Sequence, residues 1–192
     1  MALTPAIGET SRVQLRTLVL IRWVAIAGQV AALLVVHYGL GFDLPIVPTM
    51  ATVIASAVVN LAVQFGGGSG PISETGAAGY LAFDVAQLAV LLFLTGGLGN
   101  PFAFLLLAPV AISATVLTLK STIILSALAL IAITVLSVNH MALPWRGTPP
   151  ELPTIYLLGV WTALAIGILF FAAYTWRVAQ AARELSDGLF AT

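Results

Sequence analysis

The sequence predicts an all-α fold, an integral membrane bundle of six helices with both termini on the cytoplasmic side. The first observation behind this is composition. Of 192 residues, 60% are hydrophobic and 7% are charged, with a mean hydropathy of +1.10. A soluble domain covers its surface with roughly 25% charged residues, so the solvent of this chain is mostly lipid. The second is the recurrence of apolar windows long enough to cross a hydrocarbon core of roughly 30 Å, which takes about 20 residues. The third is the placement of the seven lysines and arginines. With the N-terminus inside, Arg12, Arg16, Arg22, Lys120, Arg177 and Arg183 lie on the inner side and Arg146 alone outside, as the positive-inside rule requires.

The six windows fall at 17–37, 45–65, 77–95, 101–119, 122–143 and 154–176, after a cytoplasmic segment over 1–16 and before a cytoplasmic helix beginning at 177. The first follows Arg12 and Arg16 in the manner of a signal peptide. It is too long for a signal h-region, however, and no small-residue cleavage site follows it. The breaks are Gly39–Pro45, Gly66–Gly76, Gly96–Asn100, Leu119–Ser121 and Pro144–Pro153, all short enough to join antiparallel neighbours. Gly66–Gly76 reads as a flexible cytoplasmic loop whose one charge is Glu74.

Polar residues recur inside two spans. The second places Thr52, Ser56, Asn60 and Gln64 four apart, and the third places Tyr80, Asp84 and Gln87 on one face. Polar groups in lipid need partners, so these faces are expected to look at each other or at the bundle interior. Interhelical hydrogen bonding is the plain reading. Asp84 is the sharper case, since a carboxylate in a span costs at least ~2.5 kcal/mol on insertion scales. It reads either as a protonatable relay or as a protonated donor to Asn60, with no lysine inside the membrane to pair with it. Arg22, Trp23, Trp161, Tyr174 and Trp176 read as interfacial anchors near span ends.

Between the third and fourth spans lies Gly96-Gly97-Leu98-Gly99-Asn100-Pro101-Phe102. One reading is structural: Asn100 is a favoured N-cap, Pro101 suits the first helical position, and the glycines permit a tight reversal. The other is functional. Glycines expose backbone N–H groups, and a helix start offers unpaired donors and a positive dipole end. Asn100 adds an amide that donates and accepts, and Phe102 and Phe104 add flat apolar surface. Those features suit a planar, lipid-soluble molecule with carbonyl oxygens, such as a quinone head group.

The pattern Gly96-Gly97-x-x-Asn100-Pro101-Phe102 resembles the GGxxNPF heptapeptide of the RegB/PrrB/ActS family of redox-responsive sensor histidine kinases, at all five defined positions. The opening Leu15-Arg16-Thr17-Leu18-Val19-Leu20-Ile21-Arg22-Trp23 and the exit Trp176-Arg177-Val178-Ala179 are similar too. The resemblance covers nearly the whole chain. It implies a multi-pass protein of the bacterial inner membrane that binds ubiquinone at Gly96, Gly97, Asn100, Pro101, Phe102 and Phe104. It further implies a homodimer whose kinase domains, absent from this chain, pass redox state to a response regulator. Asp84, Asn60 and Gln87 are then packing or transmission residues. Twelve residues, about 18 Å of helix, separate Asp84 from Gly96.

The departures are equally informative. Neither His37 nor His140 sits in an H-box, and the chain has no cysteine, so this segment is expected to carry no catalysis. Two scattered histidines make no metal cluster, and zero net charge offers nothing to nucleic acid. After the sixth span, Val178, Ala182, Leu185 and Leu189 step by four, three and four, as a coiled-coil seam does. An ordinary amphipathic helix fits that short stretch as well. The expected mechanism is a population shift, with oxidised and reduced quinone favouring different bundle arrangements. Competing readings are a small transporter or channel using the polar faces of spans two and three, and a membrane enzyme of quinone chemistry.

Overall fold

The computed structural model describes residues 7–66, 72–148 and 150–190, with side chains for 17–66, 72–148, 150–182 and 184. Every regular element in it is helical. Helix α1 (Ile7–Leu34) ends in one π turn, Val35–Gly39, and is followed by α2 (Ile46–Gly66) and α3 (Glu74–Leu94). Two 3-10 pieces, Gly97–Gly99 and Pro101–Leu106, lead into α4 (Leu107–Val116), then α5 (Leu119–Val138) and α6 (Thr154–Phe190).

Five helices are long and apolar enough to cross a membrane, and Pro101–Val116 is a shorter apolar helix. The sequence reading expects one α-helix over 101–119. The structure instead has a 3-10 start and only ten α-helical residues. Proline explains the difference. Pro109 has no N–H to donate and sits in the first turn of α4, where none is required. The tighter 3-10 coil rises about 2.0 Å per residue against 1.5 Å in an α-helix. The sixteen residues therefore reach roughly 27 Å, close to a hydrocarbon thickness of ~30 Å. The fifth span also ends early, at Val138, and residues 139–148 cross the end of the bundle as a loop.

The main core joins α3 to α6. Val85 and Leu92 meet Leu98, Ala103, Leu106, Val110, Ala129, Ile133 and Leu136, together with Leu164 and Ile168 of α6. Helices α1 and α2 pack on each other, and α2 packs on α3. Val53 of α2 meets Ile26 of α1 and Leu91 of α3. Large apolar side chains such as Leu20, Val24, Ile54, Ile123, Ile131, Ile166 and Phe170 point outward, as expected where lipid is the solvent.

Glu74 is not a loop charge. Ser73 caps α3, accepting from Gly76 N, and Glu74 is the first residue of the helix. Its carboxylate accepts hydrogen bonds from Thr118 Oγ1, from Ser121 Oγ (2.8 Å) and from Thr118 N (3.3 Å). Those residues form the turn between α4 and α5, so one acidic side chain ties two turns together at the end opposite the motif. Helix α6 runs unbroken for 37 residues, about 55 Å at 1.5 Å per residue. It therefore continues well past the hydrocarbon zone. The side chains of Leu185 and Leu189 lie outside the described residues, as do those of Arg12, Arg16 and Arg183.

Candidate functional site

Three connections share one end of the bundle: residues 40–45, 96–100 and 139–148. They interlock around the glycine motif. Gly96 has φ +108° and Gly97 φ +57°, conformations that suit glycine because L side chains meet steric penalties there. Space forbids a side chain as well. A Cβ on Gly96 would lie 2.5 Å from Leu143 Cδ1 and 3.0 Å from its Cα, and one on Gly97 would lie 2.5 Å from His140 Cγ. Met141 N donates to Phe93 O at 2.8 Å, fixing the long loop to the end of α3. Phe42 meets Trp145 edge-to-face at 5.0 Å, and the Arg146 guanidinium lies against Gly41.

Asn100 organises the reversal. Its Oδ1 accepts from Phe102 N at 2.9 Å, and its Nδ2 donates to Thr95 Oγ1 at 2.7 Å and to Thr95 O at 3.2 Å. Thr95 is buried and donates its hydroxyl to Leu91 O. Most of the loop's donors are also engaged: Gly99 N, Asn100 N and Ala103 N bond to Gly96 O, Gly97 O and Asn100 O. The sequence expectation of exposed N–H groups is therefore revised at these positions. The loop instead presents the exposed faces of Pro101, Phe102 and Phe104. Leu98 is turned inward, into the same core as Leu164 and Ile168 of α6.

The polar residues within the spans form a second group along α1. Arg22, 5% exposed, pairs with Asp84 at 2.9 Å. Its guanidinium also lies 5.6 Å from the Tyr80 ring centroid and 5.9 Å from that of Phe83, within cation–π range. Gln29 and Gln87 exchange hydrogen bonds at 3.3 and 3.0 Å. Asn60 donates to Val19 O, and Trp23 Nε1 donates to Gln64 Oε1.

Three expectations are corrected here. Arg22 is a buried ion-pair partner five residues into the first span, and not an interfacial anchor. Asp84 has this basic partner. Asn60 bonds α1, not Asp84. The polar faces of α2 and α3 both turn to α1, because helical periodicity sets which residues share a face but not which neighbour that face meets. The pairings of residues 22 with 84 and 29 with 87 also show α1 and α3 running parallel, while 19 with 60 and 26 with 53 show α1 and α2 antiparallel. Arg22 Nε and Asn60 Oδ1 are buried without a hydrogen-bond partner.

Asp84, Asn60 and Gln87 are thus separate from the motif loop, and the structure does not bring them into one site with Asn100. Sequence reasoning missed Arg22, whose signal was a guanidinium inside an apolar run. It also missed Leu143 and His140, which carry no signal without the fold. Trp161 donates Nε1 to Thr134 Oγ1 at 3.1 Å and joins α6 to α5. Among the described residues, no three His, Cys, Asp or Glu side chains gather as a metal site.

Over 181 residues, 93% of its length, the chain is 43% identical to a sensor histidine kinase RegB of Cereibacter sphaeroides. It is 44% identical over 182 residues to the protein of the same name from Cereibacter sphaeroides strain ATCC 17023. The chain spans 39% of the length of each relative. These likenesses agree with the resemblance carried by the heptapeptide. No family model matches the chain, and no solved structure matches it.

Proposed function

We propose, from a likeness to sensor histidine kinase RegB that runs through nearly the whole chain, that this bundle is the membrane sensor module of a histidine kinase. In this reading it sits in a bacterial inner membrane with both termini cytoplasmic, and its motif loop holds the head group of ubiquinone. The observation that carries the reading is the build of the Gly96–Phe104 segment. Positive-φ glycines and the Asn100–Thr95 bonds hold a reversal that offers Phe102 and Phe104 outward, at the bundle end, where an amphiphilic ring would arrive from lipid. Asn100 acts mainly by holding the loop, with one lone pair of Oδ1 left beyond its bond to Phe102 N.

A route from loop to output is also built in. Leu98 and Ala103 of the motif segment share a core with Leu164 and Ile168, and α6 continues without a break to Phe190. A ligand that favours one loop position over another would bias the packing of α6 directly, to the extent of its differential affinity. The kinase domains, response regulator and homodimer belong to the longer protein in this reading. A transport path along α2 and α3 is less well supported, because Asn60, Gln64, Asp84 and Gln87, which it would use, are paired with α1.

The test is ubiquinone titration of the chain in nanodiscs, followed by tryptophan fluorescence. Trp145 lies in the loop that packs on Gly96 and is a local reporter. Phe102→Ala and Phe104→Ala are expected to weaken binding about 2- to 10-fold each, the magnitude of an aromatic stacking contact, with little loss of stability. Asn100→Ala is expected to weaken binding and also to destabilise the fold by about 0.5–2 kcal/mol, as loss of an N-cap does. Asn100→Asp, which keeps the acceptor for Phe102 N, should recover part of the cap. Saturable binding that none of the three alanine variants changes would move the site away from the loop, and no saturable binding would reject the quinone reading.

A further inference from the structure

At the opposite end of the bundle, α5 and α6 line a groove of about 540 Å³, within the ~300–1,000 Å³ range of ligand pockets. Leu119, Ile123, Leu130, Leu169 and Ala173 form much of its wall, and Trp176 and Arg177 stand at its mouth. Two hydroxyls in the lining do not make it polar. Thr122 Oγ1 donates to Thr118 O and Ser126 Oγ to Thr122 O, so both are turned onto their own helix.

The mouth differs from the wall. Arg177 is exposed and has no carboxylate within ion-pair distance among the described residues, and the Trp176 indole N–H has no hydrogen-bond partner there. Lys120 follows Leu119 at the start of α5 and adds a second positive charge, partly offset by the nearby Glu74. Glu74 itself is held by Thr118 and Ser121, which leaves Arg177 as a cation with no carboxylate partner among the described residues. An apolar slot whose rim carries a guanidinium and an indole N–H that have no partner among the described residues matches one chemical class. That class is an amphiphile with a hydrocarbon chain and an anionic head.

We propose that the α5–α6 groove is a binding site for an anionic phospholipid, with an acyl chain between α5 and α6 and the phosphate on Arg177 and Trp176. The site is separate from the motif loop and lies where α6 leaves the membrane, so its occupancy bears on the position of the helix that exits. It does not depend on the quinone reading.

The experiment is native mass spectrometry of the chain released from nanodiscs holding equal phosphatidylglycerol and phosphatidylcholine, with chain-matched lipids. Retained phosphatidylglycerol should exceed phosphatidylcholine by about fivefold, the worth of one cation near an anionic headgroup. Arg177→Gln should remove that preference. Ala173→Phe, which fills the groove and leaves the charge in place, should remove retention of both lipids. Thermal unfolding of each variant, expected to stay near the parent, separates loss of the site from loss of the fold. Equal retention of the two lipids in the parent, or a preference that survives both substitutions, would overturn the proposal. So would displacement of the lipid by ubiquinone at equimolar amounts, or a crosslink between copies formed across Ala173. The first would make the groove a quinone-tail site and the second a dimer seam.

Discussion

Replacing Arg22 with alanine is expected to destabilise the chain by about 3–5 kcal/mol, the cost of leaving one partner of a buried ion pair unpaired. The side chain is 5% exposed and that of Asp84 17%, so water cannot replace the lost guanidinium. Tyr80 and Phe83 flank the same charge and offer a carboxylate no compensation. Asp84→Ala should be comparably harmful, leaving a cation among aromatic rings and apolar helices. The double variant Arg22→Met with Asp84→Leu should recover most of the loss, because apolar residues of similar volume commonly replace a buried pair without penalty. Unfolding of the chain in detergent micelles, arranged as a double-mutant cycle, measures this. Losses that simply add would mean that the two charges do not depend on each other in the membrane.

The second large effect is expected at the glycines. Gly96→Ala should destabilise more than Gly97→Ala, and both should exceed the ~1 kcal/mol of an ordinary surface change. At Gly97, φ +57° lies in the left-handed region, which costs an L residue roughly 1–2 kcal/mol. The close neighbour of a Cβ there is the His140 side chain. Replacing His140 with glycine, which removes Cγ, Cδ2 and the Cβ at 2.8 Å, should therefore relieve the clash of Gly97→Ala and leave only the backbone penalty. At Gly96, φ +108° is outside the left-handed well, and the 3.0 Å approach is to the Leu143 Cα, which no side-chain substitution removes. Gly96→Ala should therefore resist rescue by Leu143→Ala. Differential scanning fluorimetry of the four variants gives the order. Equal effects at both glycines, or rescue of Gly96→Ala by Leu143→Ala, would show that the long loop does not bear on the motif as described.

Much of the fold is legible in the residues. A chain with so few charges has to place its helices in lipid, and runs such as Ile46–Gly66 admit little other than a span. The cap reading of Asn100 and Pro101 is borne out by the bond from Phe102 N to Asn100 Oδ1 and by Pro101 at the first position of the 3-10 helix. The shortened fourth element was also signalled, by Pro109 within an apolar run, although the run's length masked it. Arg22 was misplaced because charge counting assigns a residue to a side of the membrane, whereas a buried guanidinium is placed by the carboxylate that meets it.

Composition, helical periodicity and turn chemistry, all local properties, determined that this chain is helical, that it lives in lipid, and that Gly96–Phe102 forms a capped reversal. Which faces meet was decided only by the tertiary structure. The polar stripes of α2 and α3 could be read from spacing, but their common partner α1 could not, since a helix face carries no record of its neighbour. The same holds at the motif. Its glycines read as turn residues, yet the atoms that demand them belong to Leu143 and His140, more than forty residues away. The outward turn of Phe102 and Phe104 likewise follows from Thr95 holding Asn100 beneath them, a contact set by packing of the loop as a whole.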